Sequence, residues 1–172
     1  VPATIGPKRQ IQIMLQVAIG NAFTSAPTLA FEFTTTAMGA VLRSLALPVR
    51  VNKFLRPMTI SSPQEFIAMW HQMASVGQQQ KIMDVSQTYA SSIDRVINAF
   101  KGMRLAVHEG LDPNPANIVA GSRFVGEKCG EVFIAVRAES DANVRGRYRF
   151  TVASLDATAT SAVMETLVQA LQ

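Results

Sequence analysis

The chain has one cysteine and two histidines in 172 residues. These shortages remove whole classes of chemistry. A single thiol, Cys129, cannot close an internal disulfide, and it suits a reducing compartment such as the cytosol. It sits in a predicted turn beside Glu127 and Lys128 with no histidine close in sequence, so it reads as a tolerated thiol, not a nucleophile. His71 and His108 are isolated from each other, and His71 falls on the polar side of a predicted helix. No cluster of His, Cys, Asp or Glu has metal-ligand spacing, and no glycine-rich phosphate loop occurs. Neither enzyme chemistry nor a cofactor or metal is expected. No stretch approaches the ~20 apolar residues of a membrane span, and the start does not read as a signal peptide. The net charge is +4, with the basic residues scattered and not in runs. That weakens a nucleic-acid reading and leaves room for an acidic peptide or a membrane surface as partner.

What is present is a normal apolar fraction of 48%, enough for the core of one domain or of two small ones. After an irregular lead-in at Val1–Lys8, strict alternation sets in. Ile11, Ile13, Leu15, Val17 and Ile19 oppose Gln10, Gln12, Met14 and Gln16, which predicts a half-buried strand. Leu29, Phe31 and Phe33 predict a second. Val41–Val51 predicts a third, bent or at an edge because Pro48 lies within it. Three strands cannot close a sandwich, so residues 1–48 are expected to be the last strands of a larger β unit.

Ser62–Ala74 carries a complete helix start: Ser62 as N-cap, Pro63 at the first helical position, Glu65 three after the serine. Its apolar residues, including the only tryptophan, Trp70, spread over roughly 160°, wider than the ~100° stripe a surface helix needs. One edge is therefore available to a partner, although a wholly buried stripe is the commoner outcome. Lys81–Tyr89 is weakly helical. Ser91 or Ser92 caps a helix ending at Gly102. Strands are predicted at Met103–His108, Ile118–Val125, Val132–Glu139 and Arg147–Ala153, and an amphipathic helix at Ala157–Leu171. Leu111–Asn117, LDPNPAN, reads as a rigid turn in which Asp112 is a turn-former. Short turns between strands, with helices segregated to one face or end, give an α+β domain from about residue 49 to 172.

Arg145–Phe150, RGRYRF, is the densest basic stretch. Strand parity points Tyr148, Phe150 and Val152 inward and Arg147, Arg149, Thr151 and Ala153 outward. A nucleic-acid stacking platform needs the opposite arrangement. If this strand pairs with its predecessor, Arg137, Glu139 and Arg149 share a face. Together with Trp70 they suit a peptide bearing a carboxylate and an aromatic ring.

LPVRVNKFLRP (Leu47–Pro57), QEFIAMW (Gln64–Trp70), LDPNPANIV (Leu111–Val119), VRAE (Val136–Glu139) and YRFTV (Tyr148–Val152) together resemble the C-terminal appendage, or ear, of the alpha subunit of the plasma-membrane clathrin adaptor complex. The resemblance implies an immunoglobulin-like β-sandwich, of which 1–48 are the last strands, followed by an antiparallel-sheet platform at 49–172. It implies an appendage that binds Asp-Pro-Phe, Asp-Pro-Trp and Phe-x-Asp-x-Phe motifs of endocytic accessory proteins. It further implies association with the other adaptor subunits through the preceding part of the subunit, and a cytoplasmic, peripheral location at coated pits. The family's peptide-binding residues fall on Phe66, Ile67, Trp70, Arg137, Glu139 and Arg149. Ile67 replaces a phenylalanine, and Ala153 stands where the family has a second arginine, so Ala153→Arg is expected to tighten binding. The rival readings are a divergent appendage with a structural role only and a small α+β nucleic-acid binder.

Overall fold

A computed structural model of the chain describes residues 4–6 and 9–172; most of the predicted lead-in, Val1–Lys8, lies outside them. An antiparallel sheet organises the second part. Its strands are β3 (Leu55–Pro57), β4 (Gly77–Asp84), β5 (Ala106–Val107), β6 (Ile118–Gly126), β7 (Gly130–Ser140) and β8 (Arg147–Ser154), in the order β3-β6-β7-β8-β4 with β5 also on β6. The β6–β7 and β7–β8 connections are short, and every pairing is antiparallel. Around the sheet lie α1 (Pro63–Ala74), α2 (Gln87–Ala90), α3 (Ile93–Gly102) and α4 (Ala157–Leu171). This is the expected α+β arrangement.

The period of two along each strand builds two unequal layers. Ile134, Val136, Phe150 and Val152 face α3 and α4, where they meet Phe100, Leu167 and Leu171 in the main core. Full burial of each such side chain contributes about 1.5–3 kcal/mol. On the other face Val119, Ala135 and Ala153 meet Ile60, Phe66 and Met73 in a smaller cluster under α1. The residues there are small because the covering chain comes close. A Cβ on Gly121 would lie 2.9 Å from Ile60 Cδ1.

The inward positions of Tyr148, Phe150 and Val152 are as parity predicts. The outward positions are not all exposed: Thr151 and Ala153 are buried, because α1 covers the middle of that face and leaves only its ends open.

The first part holds a hairpin, β1 (Thr28–Thr35) and β2 (Gly39–Ala46), which forms a separate two-stranded sheet. The alternating Ile11–Ile19 stretch is not a strand. It has no regular structure, and Ile11, Ile13, Met14, Leu15 and Val17 are exposed. Alternation specifies a face, but a strand forms only against a partner edge, and no described strand pairs with it. Ile19 alone of this set packs on the core, and its carbonyl accepts from Glu127 N–H. The third predicted strand ends at Ala46, short of Val51, two residues before Pro48, and the chain then enters a 3-10 turn at Val51–Phe54. Proline removes the donor needed to continue the ladder.

Two further expectations change. Lys81–Tyr89 is not a helix: Gly77–Asp84 is an edge strand on β8, followed by the single turn α2. Only Met83 of that strand is buried, so it shows no alternation to read. The strand predicted at Met103–His108 contracts to Ala106–Val107, because α3 closes through Met103 and Arg104 takes a left-handed φ of 64°.

Candidate functional site

The helix start works as its residues dictate. Ser62 Oγ accepts from Glu65 N–H at 3.2 Å, and Glu65 Oε2 accepts from Ser61 N–H at 2.7 Å. The carboxylate thus reaches back one residue further than in the usual reciprocal box. This fixes where α1 begins and so which side chains it presents. Phe66 and Met73 are buried against the sheet, Met69 and Trp70 are half-buried, and Ile67 is 53% exposed. The wide apolar stripe is therefore divided. One edge is core, and the Ile67–Trp70 edge faces out. Phe66 and Trp70 pack with ring centroids 5.4 Å apart, within the range of favourable aromatic pairs.

That edge forms one side of a groove of about 250 Å3. Phe66, Ile67, Trp70 and His71 line it from α1, Val119 from β6, and Leu111, Asp112 and Pro113 from the loop before β6, with Arg137 at its polar end. The loop is held by its own side chains. Asp112 Oδ1 accepts from Asn114 N–H, and Asn114 Oδ1 accepts from Ala116 N–H. These two overlapping Asx turns match the known habit of the residue type. Asn117 Nδ2 also donates to Asp112, and Asn117 Oδ1 accepts from Ser140 N–H, which ties the loop to the end of β7.

Arg137 is engaged on both sides. Its Nε donates to Asp112 Oδ2 at 2.8 Å, and its Nη1 lies 3.1 Å from Glu139 Oε1. Burial of Asp112 favours its neutral form, but the Asn114 N–H, Arg137 and Asn117 donors outweigh this and hold its carboxyl below the usual value. Glu139 Oε2 is 3.8 Å from Arg149 Nη1, so Asp112, Arg137, Glu139 and Arg149 form a row of alternating charge. Glu139 and Arg149 do not line the Trp70 groove. They line an adjoining recess of about 210 Å3 with Ile82 and Arg147. Arg147 there is spoken for: its Nε and Nη2 donate to the two oxygens of Asp84 at 2.8 and 3.2 Å. Arg149 is the least committed cation of the row.

The six sequence-derived residues are thus split. Phe66, Ile67, Trp70 and Arg137 share the groove, while Glu139 and Arg149 continue it along the sheet. Leu111, Asp112 and Pro113 form a wall of the groove as well as the turn that their residue types predict. The signal that could have found them is the pairing of a stiff Pro-rich loop with a carboxylate, opposite an arginine on the same side. Ala153 lies under α1 with 0% exposure and does not reach the groove surface. The aromatics of RGRYRF are buried, so they offer no stacking platform. Among the described residues no group of three or more His, Cys, Asp or Glu could hold a metal, and no helix is long and apolar enough to cross a membrane.

Comparison with known proteins places the chain among adaptor subunits. AP-2 complex subunit alpha-2 of Arabidopsis thaliana is 33% identical over 168 residues, which cover 96% of this chain and 16% of that protein. AP-2 complex subunit alpha-1 of the same plant is 31% identical over 166 residues. AP-2 complex subunit alpha-2 of Dictyostelium discoideum is 28% identical over 182 residues, covering 100% of this chain and 17% of that protein. The chain therefore spans about a sixth of the length of these relatives. The family described as Alpha adaptin AP2, C-terminal domain, matches residues 53–171, which takes in the whole six-stranded sheet and all four α-helices but not the β1–β2 hairpin, and the chain belongs to that family.

Proposed function

We propose that this chain is a non-enzymatic recruitment module of a clathrin adaptor. On this reading it binds short Asp-Pro-Phe/Trp-type motifs in endocytic accessory proteins and brings them to coated pits, as part of an adaptor complex at the cytoplasmic side of the membrane. Residues 49–172 would be the platform, and residues 1–48 the C-terminal part of a β-sandwich. The observation that carries the reading is the groove itself, an exposed Ile67–Trp70 edge over Phe66 that ends in a row of arginines and carboxylates.

Trp70 and Phe66 would hold the aromatic ring of the motif. Arg149 is better placed than Arg137 to take the motif's aspartate, because Arg137 already faces Asp112 and Glu139. Arg137 then acts by fixing Glu139 and the loop wall, and Glu139 is left to accept a backbone N–H of the peptide.

A tripeptide core has about 26 heavy atoms, and at ~0.3 kcal/mol per atom its affinity is bounded near 8 kcal/mol, roughly micromolar. Useful recruitment then depends on several motifs in one partner, which raises avidity through effective concentration. The test is calorimetric titration of an Asp-Pro-Phe peptide into the wild-type chain and Trp70→Ala, with folding of the variant checked by circular dichroism. The variant is expected to lose about 2 kcal/mol or more, as truncation of a buried aromatic anchor does. Equal affinity for the two proteins removes Trp70 from the site. No binding to either favours a structural role, which the burial of Ala153 and the internal pairing of Arg137 would suit.

A further inference from the structure

The Leu111–Asn117 loop has a second side. There it closes a larger cleft of about 720 Å3 against α3 and β5, and Asp112 and Pro113 line both this cleft and the Trp70 groove. The volume lies within the roughly 300–1,000 Å3 of sites that engulf a ligand. Ile93 and Ile97, four residues apart on α3 and so on one face of it, form an apolar wall with Val107 and Ile118. Ile93, Ile97 and Val107 are only partly buried, although each packs on the main core.

The charge of the cleft is opposite to that of the molecule. Asp94 and Glu109 line it, and no lysine or arginine does, in a chain whose net charge is +4. Asp94 lies in the first turn of α3 beside the Ser92 cap, where the helix dipole answers part of its charge. His108 also lines the cleft, but its Nε2 is engaged, donating to the Met58 carbonyl at 2.9 Å. Glu109 is exposed and makes no ion pair among the described residues. Asp94 likewise makes no ion pair there, but it answers the Ser92 hydroxyl and the helix start, whereas Glu109 has no such partner; Asp112, the third carboxylate of the lining, is paired with Arg137.

We propose that this cleft is a second docking site, for a peptide segment that carries an aliphatic side chain next to a lysine or arginine. The aliphatic group seats between Ile97 and Val107, and the cation faces Glu109, with Asp94 adding to the field. The two faces of one loop then select opposite ligands: aromatic and acidic at the Trp70 groove, aliphatic and basic here. The occupant is read from charge complementarity and from the aliphatic lining, and it does not depend on what the first groove binds.

The test uses the 15N-labelled chain and the peptide acetyl-Gly-Leu-Lys-Leu-Lys-Gly-amide, followed by amide chemical shifts. An anchor this small implies a dissociation constant of roughly a millimolar. Saturable shifts are expected at Ile97, Val107, Glu109 and Asn117. Replacing both peptide lysines by glutamate, or making Glu109→Lys in the chain, should weaken binding about fivefold, the scale of one exposed charge pair. Glu109 is exposed, so the fold tolerates the change. Trp70→Ala should leave this binding unaltered, which separates it from the first groove. The proposal is overturned if no saturable shift occurs at those amides up to about 10 mM peptide. It is equally overturned if the lysine and glutamate peptides bind alike, or if the shifts fall only on residues of the Trp70 groove.

Discussion

Asp112 shows how much a single side chain can organise. One oxygen holds the loop's Asx turn and Asn117, and the other pairs with Arg137. Its side chain is only 7% exposed and that of Arg137 36%, so removing the charge leaves a partly buried guanidinium with Glu139 as its remaining carboxylate partner. Asp112→Asn is expected to cost about 2 kcal/mol in chemical denaturation, the scale of a charge-assisted hydrogen bond. A loss below about 0.5 kcal/mol, the level of an ordinary surface change, would show that Glu139 alone can hold Arg137. The pH dependence follows from the lowered folded pKa. Stability from this pair is complete above the unfolded carboxyl value of about 3.9 and is lost as pH falls through the lower folded value. Carboxyl NMR should therefore place the Asp112 midpoint below its ordinary value, and a midpoint at or above it would contradict the pairing. Ala153 gives the opposite lesson. Resemblance alone suggests that Ala153→Arg restores a binding charge, but the site lies fully buried beneath α1. Inserting a guanidinium there should cost about 2–3 kcal/mol through overpacking and desolvation. An unchanged melting temperature together with tighter peptide binding would show that the arginine escapes to the groove.

Among the elements, those legible in the sequence are the ones whose local signals agree with their packing. The Ser62 start of α1 and the Ser92 cap of α3 accept backbone N–H groups as expected, and Asp156 closes the start of α4 by accepting from Ala159 N–H. The runs in β6, β7 and β8 are readable because one face of each strand packs on the main core. Less legible were elements decided by a distant edge. β4 has three glutamines, a lysine and an exposed Ile82, and it is a strand because β8 offers it a ladder. Ile11–Ile19 has the better strand pattern and no ladder. The site divides in the same way. Trp70, Phe66 and Ile67 follow from helix phase, and Arg137, Glu139 and Arg149 from strand parity. The Leu111–Pro113 wall depends on how a loop folds back, which no periodicity reports. Since α1 carries the groove on a frame set by Ser62, Ser62→Ala should cost about 1 kcal/mol. That corresponds to a melting temperature lower by roughly 2–4 °C, with a parallel weakening of motif-peptide binding. Lower stability with unchanged binding would mean that the sheet contacts of Phe66 and Met73 fix the phase of α1 without its cap.

At the scale of the whole molecule, stability should be unevenly distributed. The six-stranded sheet is covered by α3 and α4 on one face and by α1 on part of the other, whereas the β1–β2 hairpin is a sheet of two strands. Phe31, Phe33, Leu42 and Leu45 of the hairpin are exposed, and the stacked Phe31 and Phe33 rings, 6.1 Å apart, face solvent together. A two-stranded sheet is marginal in water by itself, and its opening need not disturb the main core, so its amides can exchange by a local route. Backbone amides of Thr28–Ala46 are expected to be at least ~100-fold less protected than those of Gly130–Ser140, which corresponds to about 2.7 kcal/mol less opening free energy. Hydrogen exchange followed by NMR or mass spectrometry at several protein concentrations measures this directly. Equal protection that is independent of concentration would show that the hairpin opens only with the whole molecule. Protection that rises with concentration would show instead that a second copy covers the exposed phenylalanines, as an open strand edge invites.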